Sequence, residues 1–141
     1  VLFILEGVDY MINKKTRQSK YKNKITKIGD KTFHSAMESR YYRYLNKMIA
    51  NGVVDSFQCQ VPYVVADAFE KDSIGKFKAI RYIADFVVQY ADGHEEIIDV
   101  KGAVTDVFKI KRHLFEQRYP DKMIRLIKQN ADKRWVDMKI T

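Results

Sequence analysis

The chain has 141 residues, 46% of them hydrophobic, which is enough to pack one core of ordinary domain size. It holds no run of about 18 apolar residues, so no segment reads as a membrane-spanning helix. The single cysteine, Cys59, excludes an internal disulfide framework and a four-cysteine zinc site.

Of the formal net charge of +8, the segment 11–31 alone carries +7. There Lys14, Lys15, Arg17, Lys20, Lys22, Lys24, Lys27 and Lys31 face one acid, Asp30. A basic arm on a near-neutral remainder is an electrostatic footprint for a polyanion such as nucleic acid, and it reads equally well as a solvated tail. The apolar opening Val1-Leu2-Phe3-Ile4-Leu5 is halted by Glu6 and has no basic stretch before it, so it does not read as a secretion signal, and a cytoplasmic protein with no membrane partner is expected. Met11 directly precedes the arm, and residues 1–10 are assigned no function.

Beyond a turn at Gly29-Asp30, a helix is predicted from Ser35. Met37, Tyr41, Tyr44, Leu45 and Met48 recur at spacings of three and four, and Asn51-Gly52 supplies a stop. Ser35 and Glu38 have the spacing of a capping box. Residues 53–66, rich in Val, Phe and Tyr, predict a strand that is bent or at a sheet edge near Pro62. Residues 67–76 read as a connecting loop. A hairpin follows, with arms in 77–90 and 95–101 around Ala91-Asp92-Gly93. Thr105-Asp106 caps a second helix through Arg118, with Val107, Ile110 and Leu114 as its inward stripe. Met123 to Ile127 form a last short strand, and the tail 129–141 has no clear pattern. The order is α-β-β-β-α-β.

Common chemistries fail. The six glycines never take phosphate-loop or dinucleotide spacing, and His34, His94 and His113 are scattered. Cys59 lies in an apolar stretch and reads as a structural thiol. Tyr42, Phe57, Phe86, Phe108, Phe115 and Trp135 read as core.

The aspartates of the hairpin do not fit so blandly. Asp is depleted in strands, yet Asp85 sits between Ile83-Ala84 and Phe86-Val87, and Asp99 follows Ile97-Ile98. Buried without partners, both would be costly. A shared divalent cation removes that cost, and hard oxygen donors are what Mg²⁺ takes. Lys101, two residues past Asp99, leaves the same strand face. Register decides whether the carboxylates meet. A three-residue closure through Ala91-Asp92-Gly93 sets Asp85 opposite Asp99, whereas a two-residue Asp92-Gly93 turn sends them to opposite faces unless a bulge intervenes. The competing reading is a surface face on which Arg81, Asp85, Asp99 and Lys101 form ion pairs.

With these residues in view, Ala84-Asp85, thirteen further residues and then Asp99-Val100-Lys101 resemble the signature of the PD-(D/E)xK nuclease superfamily. The segments Tyr21 to Lys24, Phe33 to Glu38, Tyr82 to Phe86 and Asp99 to Gly102 are similar to a family of small phage and prophage proteins placed in it. Ser35 to Glu38, Val61 to Val64, Asp85-Phe86, Lys101-Gly102 and Tyr119-Pro120 resemble the junction-resolving endonucleases of T-odd phages. These pieces span roughly residues 20–128. Ala stands where the superfamily name has Pro, a position that ligates nothing, and Asp99 stands where Glu is more usual.

The resemblance implies an α/β, restriction-endonuclease-like core with a central mixed sheet flanked by helices. Residues 1–31 form the arm, 32–128 the nuclease core and 129–141 the tail. It implies a Mg²⁺-dependent DNA endonuclease, with Mn²⁺ as a substitute, acting on branched or four-way DNA as a homodimer in a phage-infected bacterial cytoplasm. Glu38, Asp85, Asp99 and Lys101 would be catalytic, with Asp85, Asp99, Glu38 and the Val100 carbonyl as metal ligands. Gln60 is a possible neighbour of the site, and Lys109, Lys111 and Arg112 join the arm as DNA contacts. The alternative is a DNA-binding protein without catalysis that uses the arm.

Overall fold

Strand pairing begins upstream of the first helix. A computed structural model describes residues 26–139. Thr26–Ile28 (β1) and Lys31–Phe33 (β2) form an antiparallel hairpin around Gly29, whose φ of +61° suits glycine. The end of the segment read as an arm is therefore folded. The remaining arm positions, Lys14, Lys15, Arg17, Lys20, Lys22 and Lys24, lie outside the described residues.

Helix α1 (Ala36–Ala50) starts and stops where expected. Ser35 is its N-cap, with Oγ accepting the Glu38 N–H at 3.0 Å, and Asn51 closes its C-terminus. Tyr41 and Leu45 are buried, with Met37, Tyr44 and Met48 packed beside them.

The main sheet has the order β3-β6-β7-β8-β9, built from Val54–Ala66 (β3), Ile80–Tyr90 (β6), Glu95–Val100 (β7), Ile124–Gln129 (β8) and Trp135–Asp137 (β9). Only β7 and β8 run parallel, connected through helix α2 (Asp106–Arg118), so the sheet is mixed. The edge position of β3 accommodates Pro62, which has no N–H to donate. Along β7, Ile98 and Val100 join the core under α1, and Ile97 joins the core under α2. The two helices thus cover opposite faces of a mixed α/β fold.

Three expectations need correction. Residues 67–76 are not a plain loop: Phe69–Lys71 (β4) and Gly75–Phe77 (β5) pair in a small hairpin. Phe69 and Phe77 stack across it with centroids 4.5 Å apart, a cross-strand contact that three-residue strands are too short to reveal as a pattern. The tail is not featureless, because β9 pairs with β8. In α2 the predicted stripe fails, since Val107 and Ile110 are 63% and 61% exposed. Phe108 and Phe115 are buried instead, against Tyr82 and Tyr63. Two stripes at helical spacing compete on this helix, and the one carrying larger aromatic area wins the core. Leu114 remains half-buried beside them.

Candidate functional site

Hydrogen bonds across the β6–β7 turn decide the register. Tyr90 N–H donates to the His94 carbonyl at 2.9 Å and Gly93 N–H to the Tyr90 carbonyl at 3.0 Å, with Gly93 at φ +94°. This is the three-residue closure, and the pairs Gln89–Glu95 and Phe86–Ile98 place Asp85 opposite Asp99.

A second local feature is invisible to period-two reading. On β6, Tyr82 and Ala84 pack under α2, but Phe86 and Val88 pack under α1 although they have the same parity. On β3, Val61, Tyr63 and Val65 pack under α2, whereas Phe57 and Cys59 pack under α1. Both strands therefore make a half-turn between these residues, where the register sets Gln60 opposite Asp85. Gln60 has φ +55°, in the left-handed region that side-chain-bearing residues seldom occupy. The half-turn frees Asp85 from either face, and its Oδ2 accepts the Val100 N–H at 2.9 Å.

Asp99 is 1% exposed. Its Oδ2 accepts the Tyr82 hydroxyl at 2.8 Å, and Lys101 Nζ stands 3.2 Å from Oδ1 in an ion pair. That contact lacks hydrogen-bond geometry, so Oδ1 is buried with no hydrogen-bond partner. Lys101 offsets its charge but gives it no hydrogen bond, so this oxygen still has room for a metal cation. Lys101 also lies over the Phe108 ring, 5.0 Å from its centroid.

Glu38, 4% exposed, settles between its two predicted roles. Only half of the capping box is present: the Glu38 backbone caps on Ser35, while its Oε1 accepts Gln60 Nε2 at 2.7 Å. The same Nε2 lies 3.4 Å from Asp85 Oδ1. The Gln60 amide thus links the helix carboxylate to the strand carboxylate. Among the described residues, no three His, Cys, Asp or Glu side chains are gathered closely enough to hold a metal ion as they stand. The donor chemistry nevertheless fits a hard cation: Asp85, the Oδ1 of Asp99 beside Lys101 and, across Gln60, Glu38.

His34, Ser35, Glu38, Asp85, Val100, Lys101 and Thr105 line a cleft of about 350 Å³. An adjoining cleft of about 210 Å³ shares Lys101 and Thr105 and adds Asp99, Tyr82 and Lys111. The basic residues expected together on α2 divide. Lys111 faces the cleft of Asp99 and Lys101, whereas Lys109 and Arg112 line a separate surface with His113 and Glu116, and Arg112 Nε lies 3.7 Å from a Glu116 carboxylate oxygen. Cys59 is half-buried, and burial raises its thiol pKa, consistent with a structural role.

Two contributors escaped sequence reading. Tyr82 holds Asp99, but its spacing of three from Asp85 puts it on the other face of any regular strand, which hid it. His34 lines the cleft and favours the Glu38 charge, yet a lone histidine before a cap carries no signal.

Electrostatics follow from burial. Desolvation, then the neighbouring Asp99 and Glu38, push Asp85 up to about 9, while the Val100 N–H opposes them. Burial raises Glu38 as well, against His34 and Gln60. A carboxyl whose pKa is higher folded than unfolded binds more protons in the folded state across the interval between the two values. In EDTA, stability is therefore expected to fall as pH rises through the window from about 4 to about 9. Thermal melts between about pH 6 and about pH 8.5 test this, and Asp85→Asn should flatten the slope. A slope unchanged in that variant would assign the effect to other groups, such as His94 beside Asp92.

Among the described residues no helix is long and apolar enough to cross a membrane. A family model described as "Protein of unknown function (DUF1064)" matches residues 18–133. No curated protein matches the chain.

Proposed function

The chain belongs to the DUF1064 family, and we propose that it is a divalent-metal-dependent DNA endonuclease with a restriction-endonuclease-like core. One observation carries the reading: the buried Asp99 Oδ1, paired with Lys101 but without a hydrogen bond, lies opposite Asp85. The resemblance of Asp85 and Asp99-Val100-Lys101 to the PD-(D/E)xK signature, together with the mixed sheet between two helices, supports it. The chain's own residues divide the work. Tyr82 holds one oxygen of Asp99 and the Val100 N–H holds one oxygen of Asp85; the other oxygens, beside Lys101 and Gln60, are the proposed cation donors. The Val100 carbonyl is a further donor in this reading. Bound Mg²⁺, or Mn²⁺ in its place, would polarise the scissile phosphate and lower the pKa of a bound water. Lys101 would orient the attacking water and offset charge developing on the phosphate. Lys111, which lines the cleft with Asp99 and Lys101, is a phosphate contact in this reading. Lys14, Lys15, Arg17, Lys20, Lys22 and Lys24 supply sequence-independent affinity.

The proposed substrate is branched or four-way DNA. Cutting two of its strands at paired positions needs two sites, hence a symmetric homodimer. The proposed setting is a phage-infected bacterial cytoplasm. Incubation of supercoiled DNA and a synthetic four-way junction with Mg²⁺ or with EDTA is the test. Cleavage that needs the metal is expected. Tight DNA binding with no cleavage under either condition would favour the DNA-binding alternative.

Glu38→Gln separates ligand from cap. The cap uses the Glu38 backbone N–H, so the melting temperature in EDTA should not fall, while cleavage should drop by more than about 10-fold, the lower range for losing even an indirect partner of a metal. Full activity in Glu38→Gln would remove Glu38 from the site.

A further inference from the structure

The Gln60 amide occupies ground that a cation would need. Its Nε2 donates to Glu38 Oε1 at 2.7 Å and lies 3.4 Å from Asp85 Oδ1, so the nitrogen stands between two carboxylates. The position costs backbone strain, since Gln60 is one of only two non-glycine residues at positive φ among the described residues. Nothing in β3–β6 pairing demands that strain for hydrogen bonding, because the register is the same on either side, with Cys59 opposite Phe86 and Val61 opposite Ala84. What the left-handed backbone does is accompany the half-turn that brings the Gln60 amide to Glu38 and Asp85.

Without a cation, Glu38 and Asp85 disfavour each other's charge, and a neutral donor between them offsets part of that cost. An amide nitrogen has no lone pair to offer a hard cation, and its hydrogens point at the oxygens the cation would take. Nitrogen and cation therefore exclude one another from this gap. The residue is exposed, so the side chain has solvent to move into without disturbing the core. Asp99 Oδ1, paired with Lys101 but buried without a hydrogen bond, shows that the amide satisfies only part of the site.

We infer that Gln60 is a place-holder: its amide keeps Glu38 and Asp85 together in the metal-free protein and swings out when a divalent cation enters between them. The inference rests on the metal reading above and makes Gln60 a positioning residue. Each cation that binds must first break the amide's hydrogen bond to Glu38, so removing the amide should tighten binding rather than weaken it.

The test is calorimetric titration of the full chain with Mn²⁺, without DNA, for the unaltered protein, Gln60→Ala and Gln60→Gly. Glycine accepts φ +55° without strain, so Gln60→Gly keeps the backbone while deleting the amide. Mn²⁺ affinity is expected to rise about fivefold in both variants, the scale of one net hydrogen bond. Affinity unchanged or lower in Gln60→Gly would overturn the inference and make Gln60 a ligand or a support for the carboxylates. Absence of Mn²⁺ binding in the unaltered protein would instead overturn the metal reading itself.

Discussion

Asp85→Asn is expected to lower cleavage by more than about 100-fold, beyond the usual loss for an outer-sphere partner of a metal, with DNA affinity preserved. The substitution keeps the shape that accepts the Val100 N–H and removes one negative charge from the cation site. It should also raise the melting temperature in EDTA. Burial and the neighbouring Asp99 and Glu38 charges disfavour an ionised Asp85 without metal, a cost that a neutral amide does not bear. Loss of function with gain of stability is the mark of a residue kept for chemistry, whereas a surface ion pair would show neither effect. Gel assays on a four-way junction, filter binding and thermal melts give the three readouts. A near wild-type cleavage rate would remove Asp85 from the proposed chemistry.

Lys101→Ala should cost about 10²- to 10³-fold in cleavage, the range for losing one preorganised donor to developing charge. Lys101 Nζ is 3.2 Å from Asp99 Oδ1 and rests over Phe108, so its removal also takes the ion-pair partner from a buried carboxylate and should lower the melting temperature in EDTA. Mn²⁺ affinity measured by calorimetry should persist or increase, because the ammonium competes with the cation for the same oxygen. A parallel loss of Mn²⁺ binding and cleavage would show that the lysine organises the carboxylates instead of acting on the phosphate.

Between these residues and the sequence lie different kinds of legibility. Ser35 was readable as a cap because its partner is three residues away, on the same turn. The Asp85 and Asp99 pairing was readable only as a choice between two closures, since both Asp92-Gly93 and Ala91-Asp92-Gly93 form common turns. The three-residue closure carries β6 into the register that the rest of the sheet buries, with Val88 and Ile98 on one face and Ile97 on the other.

Apart from the short strands β1, β2, β4, β5 and β9, the sequence alone determined which segments become helices and strands, where α1 and α2 begin, and that charged side chains interrupt an apolar hairpin. These features depend on caps, turns and periodicity within a few residues, and neighbours in the chain settle them. Only the tertiary structure decided which stripe of α2 is buried, because Val107-Ile110-Leu114 and Phe108-Phe115 are both helical stripes until Tyr63 and Tyr82 select the aromatic one. Only it decided that β3 and β6 turn over together at Gln60 and Asp85, since no alternation of residue types announces a half-turn shared by two strands. The site depends on that shared turn. It brings Gln60 from β3 to Glu38 of α1 and Asp85 of β6, across 22 and 25 residues of chain, and such distances are bridged by packing rather than by local preference.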